Sequence, residues 1–227
     1  MLYYPSTLCR WALPVERSSP YIWVTWLTKL LVGENSCEWG AWFRAHFQNY
    51  DVTPGTFDST GWQLKHTNLL NRIRAQLEAQ GKTVFTENQN KFVLRGQSAT
   101  LGGKPDLIAI SGSAGTVFDV KTGAPSPSHH VQVMVYMYAA PRALGQYRGV
   151  TFDGKVVYEG QEVPIPSLAV DDAFVRNLVE LIGRLAGPTP ARKAPSLMEC
   201  GFCNLTTANC PERVADAVVQ DGETGDF

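Results

Sequence analysis

No basic start followed by an apolar core is visible in "MLYYPSTLCRW", so no signal peptide is expected. The apolar run "YIWVTWLTKLLV" at residues 21–32 is too short to cross a bilayer and is broken by Thr25, Thr28 and Lys29. A cytoplasmic protein with no membrane partner is the expectation. An excess of one charge is also missing, with 20 basic residues against 21 acidic ones. That balance argues against a coat for any DNA surface, but leaves room for a locally positive groove. A disulfide framework is absent as well. The five cysteines are an odd number in a long chain, and three of them, Cys200, Cys203 and Cys210, fall within eleven residues. Crowded thiols in a reducing compartment point to metal. Internal repeats and long low-complexity segments are lacking.

What is present is enough apolar material, 44% of 227 residues, for one core and a small appended lobe. Residues 1–60 hold five of the six tryptophans and read as a helical, aromatic-rich lobe. Both "SSPYIWVTWLTKLL" and "SCEWGAWFRAHFQNY" space their apolar residues as helices do. From Trp62, "WQLKHTNLLNRIRAQLEAQG" predicts an amphipathic helix with Leu69, Leu70, Ile73 and Leu77 as its stripe and Gly81 as its stop. "KTVFTE" and "KFVLRG" are expected to form a hairpin around "NQN", and "DLIAI" and "TVFDVK" another around "SGSAG". "SPSHHVQVMVYMYAAP" follows as a helix that Pro141 ends. Further strands come next, with Asp153-Gly154 as a tight turn, then the helix "VDDAFVRNLVELIGRLAG". The linker "PTPARKAPS" leads to the cysteines. Helices set between groups of strands make an α/β fold with a mixed sheet rather than repeated βαβ units. The expected division is an N-terminal lobe at 1–60, a core at 61–187 and a cysteine segment at 188–227.

Two of these strands carry misplaced chemistry. Asp119 and Lys121 are two apart in an otherwise apolar run, so they leave the strand on one face. Asp106 opens the neighbouring run and can reach the same point. Carboxylates on one face repel unless a cation separates them, and Mg²⁺ and Mn²⁺ favour such oxygens. The lysine would orient or deprotonate water, or hold a phosphate oxygen. This set suits phosphodiester hydrolysis. The plain alternative is an exposed edge with an ordinary Asp119–Lys121 pair. His66, three residues before Leu69 and seven before Ile73, lies on the buried stripe of its helix.

The run "KPDLIAI…TVFDVKTG" resembles the PD-(D/E)XK nuclease superfamily: Pro105 and Asp106, then Asp119, Val120 and Lys121. "QVMVY" is similar to the QxxxY motif of its RecB-like branch, with Gln132 and Tyr136 on one helical face. The resemblance implies a restriction-endonuclease-like core, a mixed central sheet flanked by helices. It implies that His66, Asp106, Asp119 and the Val120 carbonyl hold Mn²⁺ or Mg²⁺, and that Lys121 assists the attacking water. Gln132 and Tyr136 would position the strand or the lysine. Glu87 is a secondary candidate for an upstream acid. His46 is the rival to His66, and His129 and His130, near a helix start, face phosphate or are incidental.

The same likeness extends to the cysteines. "ECGFCNLTTANCPER" supplies three ligands, one short of zinc or of a [4Fe–4S] cluster. The arrangement is similar to RecB-like nucleases with an iron–sulfur cluster, including CRISPR-associated exonucleases and the AddB nuclease domain. By that resemblance Cys9 is the fourth ligand and the cluster joins the two chain ends, with Cys37 the other choice and a zinc site the rival. Tyr21, Trp23, Trp26, Trp39, Trp42, Phe43 and Phe47 would stack on unpaired bases, with Lys29 and Arg44 on phosphates, or are plain core. The implied function is a metal-dependent DNA nuclease, an exonuclease on single-stranded DNA, with proteins of a DNA-processing or CRISPR adaptation complex as further partners. A catalytically silent DNA-binding or assembly subunit is the alternative. A third reading, an iron–sulfur redox protein, leaves the buried acids unexplained.

Overall fold

The computed structural model describes residues 13–54 and 59–215. Its elements in chain order are β1 (Tyr21–Trp23), α1 (Trp39–His46), α2 (Ser59–Ala79), β2 (Thr83–Thr86), β3 (Phe92–Arg95), β4 (Thr100–Gly103) and β5 (Leu107–Ser111). There follow β6 (Ala114–Val120), α3 (Pro127–Ala143), β7 (Thr151–Tyr158), β8 (Gln161–Ile165), α4 (Asp172–Ala186) and the short α5 (Leu197–Gly201). Five strands form one sheet in the order β8-β7-β6-β5-β2, and three form another in the order β1-β4-β3.

The centre of the larger sheet is the β5–β6 hairpin, as its sequence predicts. Its turn is short because Gly112 sits at φ 61°, a left-handed conformation that other residues resist. β6 then runs parallel to β7, so the chain must cross over between them, and α3 is that crossover. The other pairings are antiparallel, which makes the sheet mixed, in keeping with a restriction-endonuclease-like core. α2 covers one face of the sheet with Leu69, Ile73 and Leu77, packed in one cluster with Leu107, Phe118 and Val120. Burying each such side chain contributes roughly 1.5–3 kcal/mol, which holds a mostly polar helix in place.

Four local expectations are corrected. The first hairpin does not form, because β2 joins the larger sheet beside β5 while β3 joins the smaller one beside β4. Between them residues 87–90 form a helical turn, closed by reciprocal hydrogen bonds between Thr86 and Gln89. Asn90, fully buried, donates to the carbonyls of Phe85 and Pro105 and accepts from Tyr147, so this junction is pinned from three sides. Asp153-Gly154 is not a turn but lies inside β7. A side chain at Gly154 would overlap Val133 and Met137, so glycine there lets α3 press onto the sheet. The reversal comes later, at Gly160 with φ 81°. Pro141 sits in the last turn of α3 rather than ending it. The stretch from Tyr21 opens as a strand parallel to β4, with Ile22 buried in it, and becomes helical only afterwards, where Val24 and Leu27 enter the core.

Candidate active site and cysteine cavity

In the β5–β6 register Leu107 faces Phe118, so Asp106, one residue earlier, comes opposite Asp119, one residue later. The two acids meet at the end of the hairpin where the β6 ladder passes to α3. Asp106 Oδ2 accepts the Val120 backbone N–H at 2.7 Å, which ties the start of β5 to the end of β6. The Lys121 N–H donates to the Val157 carbonyl at 2.8 Å and so extends the pairing with β7.

Asp119 is 1% exposed. Its Oδ1 accepts the Gln132 side-chain N–H at 2.9 Å, and its Oδ2 lies 2.7 Å from the Lys121 ammonium. That second contact is an ion pair without hydrogen-bond angles, so Oδ2 is a buried oxygen with no hydrogen bond. Burial pushes the Asp119 carboxyl up to about 7, with Asp106 adding to the rise and Lys121 opposing it. Gln132 bridges the pair: its carbonyl oxygen accepts from Lys121 at 3.1 Å while its amide donates to Asp119 and to the Tyr136 hydroxyl. Tyr136, 2% exposed, has its ionisation suppressed chiefly by burial. The QxxxY spacing thus delivers both side chains from successive turns of α3 to one carboxylate.

His66 Nε2 stands 3.4 Å from Asp106 Oδ2, and this carboxylate holds the imidazole basic above its usual range despite partial burial. Glu87 stands in the turn after β2 and pairs with Lys104, within electrostatic reach of His66. His46, the rival, is elsewhere: it stacks on Trp42 and its Nε2 meets the Leu185 carbonyl. Trp42 and Phe43 are buried core, with the Trp42 indole donating to Gly187, which favours the plain reading of those two aromatics. Lys29 lies over the Phe202 ring and Arg44 donates to Asn204.

The Asp106 and Asp119 carboxylates, the latter with a buried oxygen lacking a hydrogen bond, and the His66 imidazole are donors of the kind a hard divalent cation takes. Among the described residues no group of three His, Cys, Asp or Glu side chains converges to grip a single ion, and at Asp119 the Lys121 ammonium supplies the positive charge.

Elsewhere in the molecule, Cys37, Cys200, Cys203 and Cys210 line one cavity of about 250 Å³. α5 carries Cys200, whose Sγ accepts the Val214 N–H at 3.4 Å. Cys37 arrives from 163 residues away on a loop strapped down by Glu38 and Trp39, whose N–H groups both donate to the Arg192 carbonyl. The Cys210 thiol is pushed up by burial first, with the nearby Cys203, Cys37 and Cys200 adding to the shift. Cys9 lies outside the described residues. Periodicity gave no sign that Cys37 shares this cavity, since nothing local marks which distant thiol will line it with the C-terminal three.

No helix of the described residues is long and apolar enough to cross a membrane. No curated protein matches this chain. The crystal structure of SSO0001 is similar over 88% of this chain and 90% of its own, at 17% identity and a TM-score of 0.45. The family model of the PD-(D/E)XK nuclease superfamily matches residues 34–210, from before Cys37 through the two aspartates to Cys210. With that match spanning most of its length, the chain belongs to the PD-(D/E)XK nuclease superfamily.

Proposed function

We propose that the protein hydrolyses DNA phosphodiesters as a metal-dependent exonuclease of the RecB-like type, acting on single strands. The observation that carries this reading is the meeting of Asp106, Asp119 and Lys121 at one strand end, with Gln132 bridging the last two. Asp106, Asp119 and His66, with the Val120 carbonyl, are the residues that would hold Mn²⁺ or Mg²⁺. When bound, the ion supplies polarisation of the phosphoryl oxygen and a more acidic water. Lys121 keeps a cation beside the attacking water and the phosphate. Gln132 is a positioning residue for Lys121 and Asp119, and Tyr136 holds Gln132 in turn. Water oxygen bonds to phosphorus and gives up one proton to solvent, while the bond to the leaving sugar oxygen breaks and that oxygen takes a proton from solvent. Preference for a free single-stranded end rests on the resemblance alone, as does a place beside proteins of DNA processing or CRISPR adaptation.

The cysteine cavity supports a [4Fe–4S] cluster held by Cys200, Cys203, Cys210 and a fourth thiol. Because Cys37 shares the cavity, we take it as that fourth ligand in place of Cys9. The cluster's role is structural, ordering the segment around Cys37 against the C-terminal segment. Purification without oxygen separates iron–sulfur from zinc, since only the former gives a brown protein with a visible band. A silent subunit is disfavoured by the intact acids and lysine.

The deciding experiment is digestion of 5′- and 3′-labelled single-stranded and duplex DNA, with Mg²⁺, Mn²⁺ and chelator side by side. Ion-dependent release of short products from single strands is expected. Equal cleavage in chelator, or none with either ion, would end the proposal.

A further inference from the structure

The corner between α3 and β7 holds a second polar arrangement that no step above uses. His129 lies three residues before Gln132, hence on the same side of α3. Its Nδ1 is 2.9 Å from the hydroxyl of Tyr158. Tyr158 follows Val157, the residue whose carbonyl takes the Lys121 N–H, so the pair stands at the sheet end beside the lysine. Burial raises the Tyr158 phenol, so the hydroxyl keeps its proton and can give it to His129 Nδ1. In the tautomer with Nδ1 as the acceptor, the proton of the neutral ring sits on Nε2. Burial chiefly, with Lys121 adding, holds this imidazole down at about 4, so it is neutral when the enzyme works. Among the described residues Nε2 makes no hydrogen bond, and it is not a sealed atom.

Two neighbouring donors, the Ser126 hydroxyl and the Ser128 N–H, are already engaged. Glu34, on the loop that leads to Cys37, accepts from the Ser128 N–H and the Ser126 hydroxyl, and Ser126 also caps the helix. In that tautomer His129 offers an oriented, uncharged N–H within electrostatic reach of Lys121.

We propose that His129, pinned by Tyr158, is a substrate-binding residue that donates from Nε2 to a non-bridging oxygen of one phosphate of the bound strand. The inference rests on the nuclease reading above and adds a specific contact to it. A neutral donor with fixed direction suits an oxygen whose charge Lys121 and the ion already balance. It selects geometry without adding to the counterion-driven grip on the backbone.

The test uses the full chain and a short single-stranded oligonucleotide, intact or with one methylphosphonate placed at each linkage in turn. His129→Ala is expected to lower kcat/KM about tenfold on the intact strand, the scale of one hydrogen bond to a charged group. His129→Gln, whose amide can occupy the Nε2 position, should recover most of that loss, and Tyr158→Phe should fall between. At one linkage the methylphosphonate should cost the wild type the same factor and cost His129→Ala nothing further. In chelator, affinity for the strand should drop in His129→Ala with the salt slope unchanged, whereas Lys121→Ala should flatten the slope. Full activity in His129→Ala overturns the inference, as does a loss that no single linkage absorbs. If the wild type binds but does not cleave with either ion, the nuclease reading falls and the chelator binding still judges His129. If it neither binds nor cleaves, both fall.

Discussion

Asp106 accepts the backbone N–H of Val120 at 2.7 Å, across 14 residues of chain. One carboxylate therefore joins the beginning and end of the hairpin that carries the site, while its other partner, His66, comes from α2. Fold and the proposed chemistry share this side chain, and variants can separate the two.

Asp106→Asn keeps an acceptor for Val120, so the fold should hold while cleavage is lost. Asp106→Ala leaves a buried N–H without a partner and should cost about 1–3 kcal/mol as well. Urea unfolding of the two variants, beside the DNA digestion, checks the difference. Equal stability would show that the Val120 bond does not matter to folding.

Asp119→Ala and Lys121→Ala should each lower cleavage by at least about a hundredfold, because a site built on charge loses its main electrostatic term. Circular dichroism should stay native. Retained cleavage in either variant, after removal of contaminating nuclease, would place the chemistry elsewhere.

Asp119 also sets a pH dependence of stability in ion-free protein. Burial raises its carboxyl from an ordinary 3.8 to about 7 in the folded state. Between those values the folded state keeps a proton that the unfolded chain has lost, so this group makes unfolding easier as pH rises through the window. Asp119→Asn removes the effect. The variant should be more stable than the wild type at pH 8, with the gain shrinking on acidification and vanishing near pH 4. Thermal melts in chelator read this directly, and a gain that grows on acidification would refute the sign.

Gly154→Ala places a methyl group against Val133 and Met137 of α3. Overpacking of this kind costs about 1–3 kcal/mol. Cleavage should fall more than stability alone explains, since α3 also carries Gln132 and Tyr136. Wild-type unfolding midpoints would show that the helix can lift away freely.

For the cysteine cavity, Cys37→Ser should remove the visible band of anaerobically purified protein, and Cys9→Ser should leave it. The reverse would return the fourth position to Cys9. Losing Cys203 should also increase limited proteolysis on both sides of the cavity, at the loop around Cys37 and in the segment after Cys200.

Local pattern alone was enough for the β5–β6 hairpin, the stripe of α2 and the shared face of the candidate site residues Asp119 and Lys121, while the resemblance singled out Gln132 and Tyr136. These are short-range facts: a two-residue period puts Asp119 and Lys121 on one face, and a four-residue step puts Gln132 above Tyr136. Long-range packing decided the rest. Gly154 has the composition of a turn, but the approach of Val133 and Met137 keeps it inside a strand. "KTVFTE" and "KFVLRG" have the look of partners, but Asn90 and its three hydrogen bonds send them to different sheets. Cys37 and Glu34 gain their meaning only from groups about 90 or more residues away. Periodicity records how a residue faces along its own element, and it carries no information about which distant element will come to meet it.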